Sequence, residues 1–596
     1  MLEPSYIAER CHNVNRVIVQ TGLHVSMFGA AVYTALRRTF FGRNGAIPIA
    51  GGCVLLYGEL VNVGVSTKRA MIMFLLLLLA TVLGRTYDTL SAMSVSLLVL
   101  LFQSPGALFT ASFQLSFAAA YAASVFAGVL GDEKDRDEKE RKEGKSTWKR
   151  WLEKGKETAQ FGLAITLITF PVTAVHFFEF PLYGCLINPI VVPLMNVLLS
   201  CAILSGGLGM VFPVAGVFFA GTVRAILWLY ELLCRIISIF PFSVLLIGKP
   251  KRWQVGLYYL LLFAGIVLWK QNRRKLRLRN KRTGERVPPQ IRLYHAAFAV
   301  LPFCLLPYSA NPFEVTFLSV GQGEAIVIEE GNGVHFGKNV YLVDGGSSSI
   351  SGVGAKRLIP FLKSKGIGRI AGAFVSHIDE DHINGLSELL TLMPDCGTSG
   401  RKSPVYAGTI LVERLILPAL LEKEEGYLRL VSLAEQKGVE LVYVSAGDRI
   451  STGDGTGFLC MSPDNGKRYE DRNSASMVLG VEFGVLRLLL TGDATKEVEP
   501  QIIRYLEKSE WSEQRKVTVL KAGHHGSDTS TSEELLWALK PEITVISCGR
   551  NNRYGHPHEE TIRRLEAIGC KILRTDELGA IVFTISPRGE VKQERY

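Results

Sequence analysis

The hydrophobic and polar positions divide the 596-residue chain into two halves of different texture. Residues 14–310 contain long apolar runs with few charges, a pattern that predicts about ten membrane-spanning helices. Residues 311–596 mix apolar and polar positions in short segments, as soluble domains do. We therefore predict a polytopic helical membrane domain over 1–310 and a soluble domain over 311–596. The spans are expected near 16–36, 46–64, 70–84, 89–104, 108–130, 160–179, 183–211, 214–240, 253–270 and 293–310.

Basic residues predict the orientation of the membrane half. The segments 131–158 and 271–292 are rich in Lys and Arg, so both are expected to be cytoplasmic loops. An even number of predicted spans lies between them, which agrees with that placement. The last span would then deliver residue 311 onward to the outer face. Counting backward puts the N-terminus outside as well, which predicts that a preceding segment is missing.

The second half alternates short apolar segments with amphipathic ones. Two groups of strands with helices on their outer sides predict a four-layered α/β arrangement. Strands are expected near 313–320, 325–330, 340–344, 370–375, 475–482, 485–491, 516–521, 543–547 and 571–586, and helices near 354–365, 382–393, 424–437, 495–508, 531–540 and 558–569.

The run from residue 376 to residue 385 contains the densest group of metal-competent side chains. His377, Asp379, Asp381 and His382 occupy six positions directly after the apolar segment 370–375. A strand that ends there would project them together from its C-terminal end. Such groups repel one another unless a cation offsets their charges or water screens them. A bound cation is the better explanation, and it predicts a metallohydrolase.

Composition and charge change this picture little. The formal net charge of +11 is compatible with an anionic partner, but Lys and Arg in cytoplasmic loops account for much of it. The ten cysteines show neither CxxC nor zinc-knuckle spacing. Neither feature selects a function.

Five short motifs in the membrane half are individually weak and more specific in their order. They are Gly-Leu-His-Val-Ser at 22–26, Gly-Arg-Thr-Tyr-Asp at 84–88, Ser-Pro at 104–105, Phe-Gln-Leu-Ser-Phe at 113–117 and Asn-Pro at 188–189. Over most of residues 10–270 the chain thereby resembles the competence domain of the ComEC family of DNA-uptake channels. The resemblance implies import of single-stranded DNA into transformable bacteria. It also implies an extracellular OB-fold segment that would precede this chain.

Polar residues in or beside the apolar runs are candidates for the channel. His24 and Gln114 lie in or at the edge of such runs, where polar groups are a functional hypothesis by default. Gln114 would otherwise bond a neighbouring helix, and His24 would otherwise lie at the membrane interface. Lys68 and Arg69 lie on the predicted outer side, where DNA phosphates and lipid headgroups are equally good partners.

The second half resembles the metallo-β-lactamase superfamily over its whole length, in the form that is fused to ComEC channels. The motifs are Val-Gly-Gln-Gly at 320–323, Asp-Gly-Gly at 344–346, His-x-Asp-x-Asp-His at 377–382, Thr-Gly-Asp at 491–493, His-His-Gly-Ser at 524–527 and Asn-Arg-Tyr-Gly-His-Pro-His at 552–558. The resemblance implies an αββα fold with two divalent metal ions. The implied ligands are His377, Asp379, Asp381, His382, Asp493, His524 and His525.

The roles that the resemblance implies for these residues are those of a phosphodiesterase. Asp493 would bridge the ions, His377 and Asp379 would serve one, and Asp381 and His382 the other, with His524 or His525 completing a site. Two such ions polarise a phosphoryl oxygen and activate water, and loss of Asp381 should abolish catalysis. The candidates for protonating the leaving group or contacting phosphate are His556, His558, Ser527 and Thr529.

The ligand set bears on the metal. Asp379 stands where the general superfamily pattern has histidine, and no histidine occurs between His382 and His524. A ligand set with more carboxylate oxygens and fewer imidazoles shifts the metal preference of the site from Zn²⁺ toward Mn²⁺. Ser319 and Glu324 stand where aspartates are usual, which weakens the expected support of the ligands.

These observations favour a channel for natural transformation in the bacterial cell membrane, multi-pass, with an outward-facing nuclease that degrades one strand. The resemblance implies as partners single-stranded DNA, membrane lipid, a DNA receptor, a cytoplasmic helicase or translocase, and the missing OB-fold segment. One alternative is a membrane-anchored hydrolase of another phosphodiester or ester. The other is a pore whose soluble domain is catalytically silent.

Overall fold

The computed structural model describes residues 23–39, 42–60, 64–124, 147–240, 243–283, 301–306, 308–309, 311–331, 333–334, 338–393, 409–420, 424–452, 455–469, 471–508, 517–586 and 588–595. The chain forms two compact units. The first comprises Met1–Leu245 and Arg252–Leu305, and the second comprises Leu246–Lys251 and Leu306–Tyr596. The second unit thus begins five residues before the predicted boundary and includes a short segment from within the first half.

The first unit is helical within the described residues, because its segments are apolar and rich in residues that favour helices. Short strands occur at Glu179–Pro181 and Val244–Leu246, and 3₁₀ turns at Pro105–Phe109 and Leu301–Leu305. The helices are α1 (Leu23–Leu36), α2 (Gly42–Leu60), α3 (Val65–Val82), α4 (Thr89–Gln103), α5 (111–124), α6 (Thr147–Phe177), α7 (Gly184–Gly209), α8 (Pro213–Ile239) and α9 (Arg252–Thr283).

Two helices in the described part of the chain are long and apolar enough to cross a membrane, namely Val65–Val82 and Pro213–Ile237. Shorter apolar helices cover Thr89–Gln103, Phe161–Phe177, Pro193–Gly209 and Arg252–Leu268. Two expected loops are partly helical, because α6 and α9 continue through the charged residues 147–158 and 271–283. Lys, Arg and Glu are good helix formers, so charge alone does not end a helix. Residues 131–146 and 284–300 lie outside the described residues, so the ten spans stay a prediction.

The second unit contains two large β-sheets. The strands are β1 (Phe313–Phe317), β2 (Ile326–Glu330), β3 (Asn339–Val343), β4 (Gly372–Phe374), β5 (Arg414–Pro418), β6 (Glu440–Val444), β7 (Arg449–Ser451), β8 (Gly457–Ser462), β9 (Val478–Phe483), β10 (Leu486–Leu490), β11 (Val517–Lys521), β12 (Ile543–Ile546), β13 (Lys571–Arg574), β14 (Ile581–Ile585) and β15 (Val591–Arg595). The eight-stranded sheet has the order β6-β5-β4-β3-β2-β1-β14-β15, and the seven-stranded sheet has the order β7-β8-β9-β10-β11-β12-β13. Two small sheets pair Tyr308–Ser309 with Gly333–Val334 and Arg369–Ile370 with Leu411–Val412.

Helices lie on the outer faces of both sheets. They are α10 (Ile359–Ser364, preceded by a π-helical turn at Gly354–Leu358), α11 (Glu380–Thr391), α12 (Glu425–Gln436), α13 (Glu499–Lys508), α14 (Glu533–Leu539), α15 (Glu559–Ala567) and α16 (Thr575–Leu578). One apolar cluster joins the eight-stranded sheet to α10, α11 and α12, a second fills the space between the sheets, and a third joins the seven-stranded sheet to α13, α14 and α15. This confirms the predicted four-layered αββα fold, since each sheet buries both of its faces.

Parallel pairing positions the functional residues. In the first sheet β3, β4 and β5 run parallel, and in the second sheet β10, β11, β12 and β13 do. The carboxyl ends of parallel strands lie at one edge of a sheet, where open α/β sheets bind their ligands. The metallo-β-lactamase-like motifs at 344–346, 377–382, 491–493, 524–527 and 552–558 lie in the segments that follow β3, β4, β10, β11 and β12.

The predicted elements agree with the structure to within a few residues at most positions. The strands β5, β6, β7, β8 and β15 were not predicted from the sequence. Edge strand β15 alternates between half-buried and exposed positions, and edge strand β6 has one buried residue among five, so the hydrophobic signal of both is weak.

Candidate metal centre

Three strand ends and the first turn of a helix bring the predicted ligands together. His377 follows β4 by three residues, Asp493 follows β10 by three, and His524 and His525 follow β11. His382 lies in the first turn of α11, which begins at Glu380 after the N-cap residue Asp379. Segments more than 140 residues apart thus meet at one edge of the two sheets, by the strand pairing described above.

Asp493 lies at the centre of the cluster. Its Oδ1 is 3.3 Å from His382 Nε2, and its Oδ2 is 4.0 Å from His377 Nε2 and 3.6 Å from His525 Nε2. Asp381 Oδ2 lies 3.5 Å from His525 Nε2. Three sets of side chains in the described part of the chain are close enough to hold an ion: His377, His382 and Asp493; Asp381, His382 and His525; and Glu324, Asp344 and His382.

The atoms that face the centre of this cluster have no hydrogen-bond partner in the described part of the chain. They are the Nε2 atoms of His377, His382 and His525 and Oδ1 of Asp493, all of them buried. His382 Nε2 and Asp493 Oδ1 are 3.3 Å apart but lack the geometry of a hydrogen bond. Buried polar atoms are nearly always paired, so an orphaned set that converges on one point fits a bound cation.

The tautomers of two of the histidines are determined by Asp344 and Ser376. Asp344 Oδ2 accepts hydrogen bonds from His382 Nδ1 at 2.8 Å and from the Ser376 hydroxyl at 2.6 Å, while its Oδ1 accepts from the Ser376 amide at 2.7 Å. The hydroxyl proton is therefore used, and Ser376 Oγ accepts from His377 Nδ1 at 3.0 Å. In the neutral form, both imidazoles carry their proton on Nδ1, and a cation at Nε2 of His382 would take the place of its second proton.

A backbone carbonyl determines the tautomer of His525. Its Nδ1 donates to the carbonyl of Ser547 at 2.8 Å, so its Nε2 lone pair also faces the cluster. His524 and His525 both have left-handed backbone conformations, with φ of 46° and 55°. Such conformations cost non-glycine residues of order 1–3 kcal/mol each and are concentrated at functional sites. The left-handed turn at His524 and His525 thus directs both imidazoles toward Asp493.

Glycine is required where two loops cross beneath α11. A Cβ on Gly346 would lie 2.4 Å from the backbone nitrogen of His382, which is closer than any real contact. The close approach lets Gly345 N donate to His382 O at 2.7 Å and Glu324 N donate to Asp381 O at 3.0 Å. These bonds hold the first turn of α11, and with it two of the ligands.

Asp379 lies at the rim of the cluster. Its Oδ2 is 3.7 Å from His377 Nε2, and its Oδ1 is 3.4 Å from the exposed guanidinium of Arg472, which also contacts Glu424 at 2.7 Å. His382, which the sequence assigned to one ion with Asp381, belongs to all three possible sets. His382 Nε2 and Asp493 lie close to the other candidate ligands of both ions, and the assignment of ligands to individual ions stays a prediction.

His524 is the more peripheral of the adjacent histidines. Its Nε2 lies 3.7 Å from Asp493 Oδ2, but its side chain is 27% exposed, whereas that of His525 is 2% exposed. His524 Nδ1 contacts Thr529 Oγ1 at 3.3 Å, and Thr529 Oγ1 contacts Ser527 Oγ at 3.0 Å. Ser527 and Thr529, expected as phosphate donors, thus support His524, and Ser527 is buried.

His556 and His558 have different surroundings. Gln322 Nε2 donates to His556 Nδ1 at 3.3 Å, because Gln322 Oε1 is occupied by the Gly549 amide at 3.1 Å. His556 therefore carries its proton on Nε2 and is a hydrogen-bond donor. His558 is held on both sides, by Asp528 at 3.0 Å and by the carbonyl of Tyr554 at 3.2 Å. Of the two candidates, His556 is the one oriented as a proton donor.

A buried ion pair between Lys521 and Glu324 lies next to Asp493. Lys521 Nζ contacts Glu324 Oε2 at 2.5 Å and the carbonyl of Gly492 at 2.9 Å, and it is 3.8 Å from Asp493 Oδ1. Burial favours the neutral amine, but the carboxylates of Glu324 and Asp493 outweigh it and raise the pKa of Lys521. Sequence reasoning missed Lys521, Asp344, Ser376, Gln322 and Arg472 as site residues, although the motifs at 320–323 and 344–346 contained two of them.

The electrostatics of the cluster favour a positive charge at its centre. Burial lowers the pKa of His377 to about 3, with a further contribution from His382, so this imidazole is neutral. Burial also opposes charge on His382, yet Asp493 and Asp344 outweigh it and hold the pKa of His382 well above its usual value. Burial alone would raise the pKa of Asp381, but His525 and His382 lower it to about 2.

The polar residues proposed for the channel lie in the helical unit. Arg69 Nε donates to Ser116 Oγ at 2.8 Å, and its guanidinium lies 5.7 Å from the Phe117 ring. Gln114 Oε1 bonds His176 Nε2 at 3.0 Å, as expected if it joins neighbouring helices. Lys68 is exposed. His24 lies in α1, but its side chain lies outside the described set.

Comparisons with known proteins agree with this architecture. The profile of the competence protein family matches residues 19–272, and that of the metallo-β-lactamase superfamily matches residues 318–550. ComE operon protein 3 of Bacillus subtilis is 26% identical over 96% of this chain and 68% of its own length. Competence protein ComA of Neisseria gonorrhoeae is 26% identical over 96% of this chain and 71% of its own length. A diphosphatase of the PhnP family, a solved structure, has a TM-score of 0.26 and 16% identity over 44% of this chain and 94% of its own.

The fold and the site define a class: a helical competence domain joined to a metallo-β-lactamase domain, whose fold and histidine–aspartate cluster are those of metal-dependent hydrolases. Within this class, the chain belongs to the ComEC family of competence proteins. Members of the competence family are membrane proteins that act in DNA uptake.

Proposed function

We propose that the second unit is a metal-dependent phosphodiesterase that hydrolyses DNA on the outer face of the cell membrane, while the helical unit conducts the surviving strand inward. The observation that carries the hydrolase is the convergent set of three free Nε2 atoms and Asp493 Oδ1. Membership of the competence family supports DNA as the substrate.

The residues divide into three roles. His377, His382, Asp493, Asp381 and His525 would hold two divalent ions, with Asp493 between them. Ions bound there would polarise the phosphoryl group, supply a water of lowered pKa and offset the charge of the leaving oxygen. The oxygen-rich rim at Asp379 supports Mn²⁺ over Zn²⁺.

Stabilisation of the leaving oxygen falls to His556. Its Nε2–H is available because Gln322 occupies Nδ1, and burial with the nearby His524 lowers its pKa to about 4. His556 is therefore a neutral imidazole near neutral pH, and its Nε2–H can donate a hydrogen bond to the leaving oxygen. Arg472 at the rim adds a cation that can contact phosphate.

The test uses the full-length protein in lipid nanodiscs with end-labelled single-stranded DNA and Mn²⁺. We expect Asp381→Asn to reduce the cleavage rate by at least about a hundredfold, because it loses a charged ligand. Asp448→Asn, a change of the same kind in an exposed turn, is the matched control. Equal cleavage by the wild type and Asp381→Asn, with metal content unchanged, would refute the assignment.

Loss of cleavage in every preparation, with a full metal complement, would instead support the pore with a silent soluble domain. Cleavage of small phosphodiesters without cleavage of DNA would support the membrane-anchored hydrolase. The metal content of each preparation, measured by mass spectrometry, therefore accompanies each rate.

A further inference from the structure

An exposed aromatic ring borders the metal centre. Tyr554, in the loop between β12 and α15, is 44% exposed. Its ring stacks on that of His556, with 5.7 Å between centroids and 21° between planes. The ring of His556 in turn lies 5.4 Å from that of His524 and 6.3 Å from that of His525. A continuous series of rings thus leads from the cluster to solvent.

Arg553 extends this series. Its guanidinium carbon lies 4.8 Å from the centre of the Tyr554 ring, and its Nη2 donates to the Tyr554 hydroxyl. The side chain of Arg553 is itself exposed. Guanidinium planes and aromatic rings are the surfaces on which unpaired nucleobases stack, and the cation adds attraction for a polyanion.

The loop that presents both side chains is preorganised by Asn552. Asn552 Nδ2 donates to the carbonyls of Gly549 at 2.9 Å and His556 at 2.6 Å. Its Oδ1 accepts from the amides of Tyr554 at 3.1 Å and His556 at 3.0 Å. A loop held at four points loses little conformational freedom when a ligand binds.

Packing does not account for the exposed ring. Phe313, Phe374 and Phe583 in the same unit are completely buried, as large apolar side chains of a folded core are. Tyr554 instead keeps much of its surface in water beside the site. Tyr443 and Trp537 are also exposed, so exposure alone does not distinguish Tyr554; its stacking on His556 beside the cluster of candidate ligands does.

We propose that Arg553 and Tyr554 form a stacking platform for a nucleobase adjacent to the phosphodiester at the metal centre. This inference rests on the proposed hydrolysis of DNA. The platform selects single-stranded substrate, because a base inside a duplex has no free face, and it tolerates all four bases, because each has a planar face.

The test measures binding rather than cleavage. Fluorescence anisotropy, in EDTA, compares a single-stranded oligonucleotide with the same backbone carrying abasic sites, on the full-length protein in nanodiscs. We expect the wild type to bind the base-containing strand about tenfold more tightly. In Tyr554→Ala that ratio should fall to near one, and Tyr554→Trp should restore it. Tyr443→Ala, on edge strand β6 at a similar exposure of 43%, is the matched control and should keep the wild-type ratio.

Two outcomes would overturn the platform: a wild type without preference for bases, or a Tyr554→Ala variant that keeps the wild-type ratio. Thermal unfolding of each variant excludes misfolding as the cause of a lost ratio. A protein that prefers bases through Tyr554 but cleaves no DNA would retain the platform and refute the hydrolase. The two proposals therefore fail separately.

Discussion

Asp344→Asn is the substitution that best tests how the metal centre is built. Asp344 accepts three hydrogen bonds, two from Ser376 and one from His382 Nδ1, and is completely buried. Asparagine has the same shape but replaces one acceptor oxygen with an NH₂ group. With its Oδ1 kept by the Ser376 amide, the NH₂ group would face the N–H of His382. Two donors cannot share that position, so the His382 proton would move to Nε2.

The expected magnitude follows from that change of tautomer. A protonated Nε2 cannot bind a metal, so either the ion loses a ligand or the ring keeps a donor–donor conflict. Loss of such a supporting carboxylate typically lowers metal affinity 10- to 100-fold, which is about 1.4–2.7 kcal/mol. The folded state also loses a charge-assisted hydrogen bond, roughly 1.5–3 kcal/mol.

The assay is competition for the bound metal with a chelator of known affinity, on the full-length protein. Asp448→Asn, in an exposed turn before β7, controls for removal of a carboxylate. A folded Asp344→Asn protein with wild-type metal affinity would refute the tautomer argument. The same variant with normal affinity but lower activity would instead indicate a role for Asp344 in catalysis only.

The remaining predictions concern stability. Removal of metal by EDTA should lower the unfolding temperature of the second unit, because an ion at a hundred times its Kd stabilises the folded state by about 2.7 kcal/mol. Re-addition of Mn²⁺ should restore the unfolding temperature. An unfolding temperature that EDTA leaves unchanged would contradict a metal centre. Lys521→Met should destabilise the unit by about 3–5 kcal/mol, because it leaves Glu324 buried without its partner. The double variant Lys521→Met/Glu324→Leu should recover much of that loss in a thermal melt, and a double variant that is no more stable than the single one would contradict the ion-pair argument.

Most of the candidate ligands could be proposed from the sequence because their donors are close together in it. His377, Asp381 and His382 fall within six positions, and the strand before them is apolar. The αββα layers were predictable too, since the central strands are continuous apolar runs. The edge strands β6, β7 and β15 were missed because half-exposed positions weaken the periodic pattern, whereas β5 and β8 were missed although they are largely buried.

The supporting residues could not be found in the same way. Lys521 ends an apolar strand without any local sign that its amine would be buried beside Glu324, almost 200 residues earlier. Tyr554 was noted only as part of a motif, and its exposure depends on how Asn552 holds the loop. Long-range contacts of this kind leave no periodic trace in the sequence.

The order of residues by itself determined which half is apolar, which apolar runs form most of the strands and which donors can bind a metal. Only the tertiary structure decided which nitrogen of each histidine is free, and which of two adjacent histidines is buried. The reason is physical: the position of an imidazole proton depends on the partner of the other nitrogen. Those partners, Asp344 for His382 and the carbonyl of Ser547 for His525, arrive from other strands when the sheets assemble.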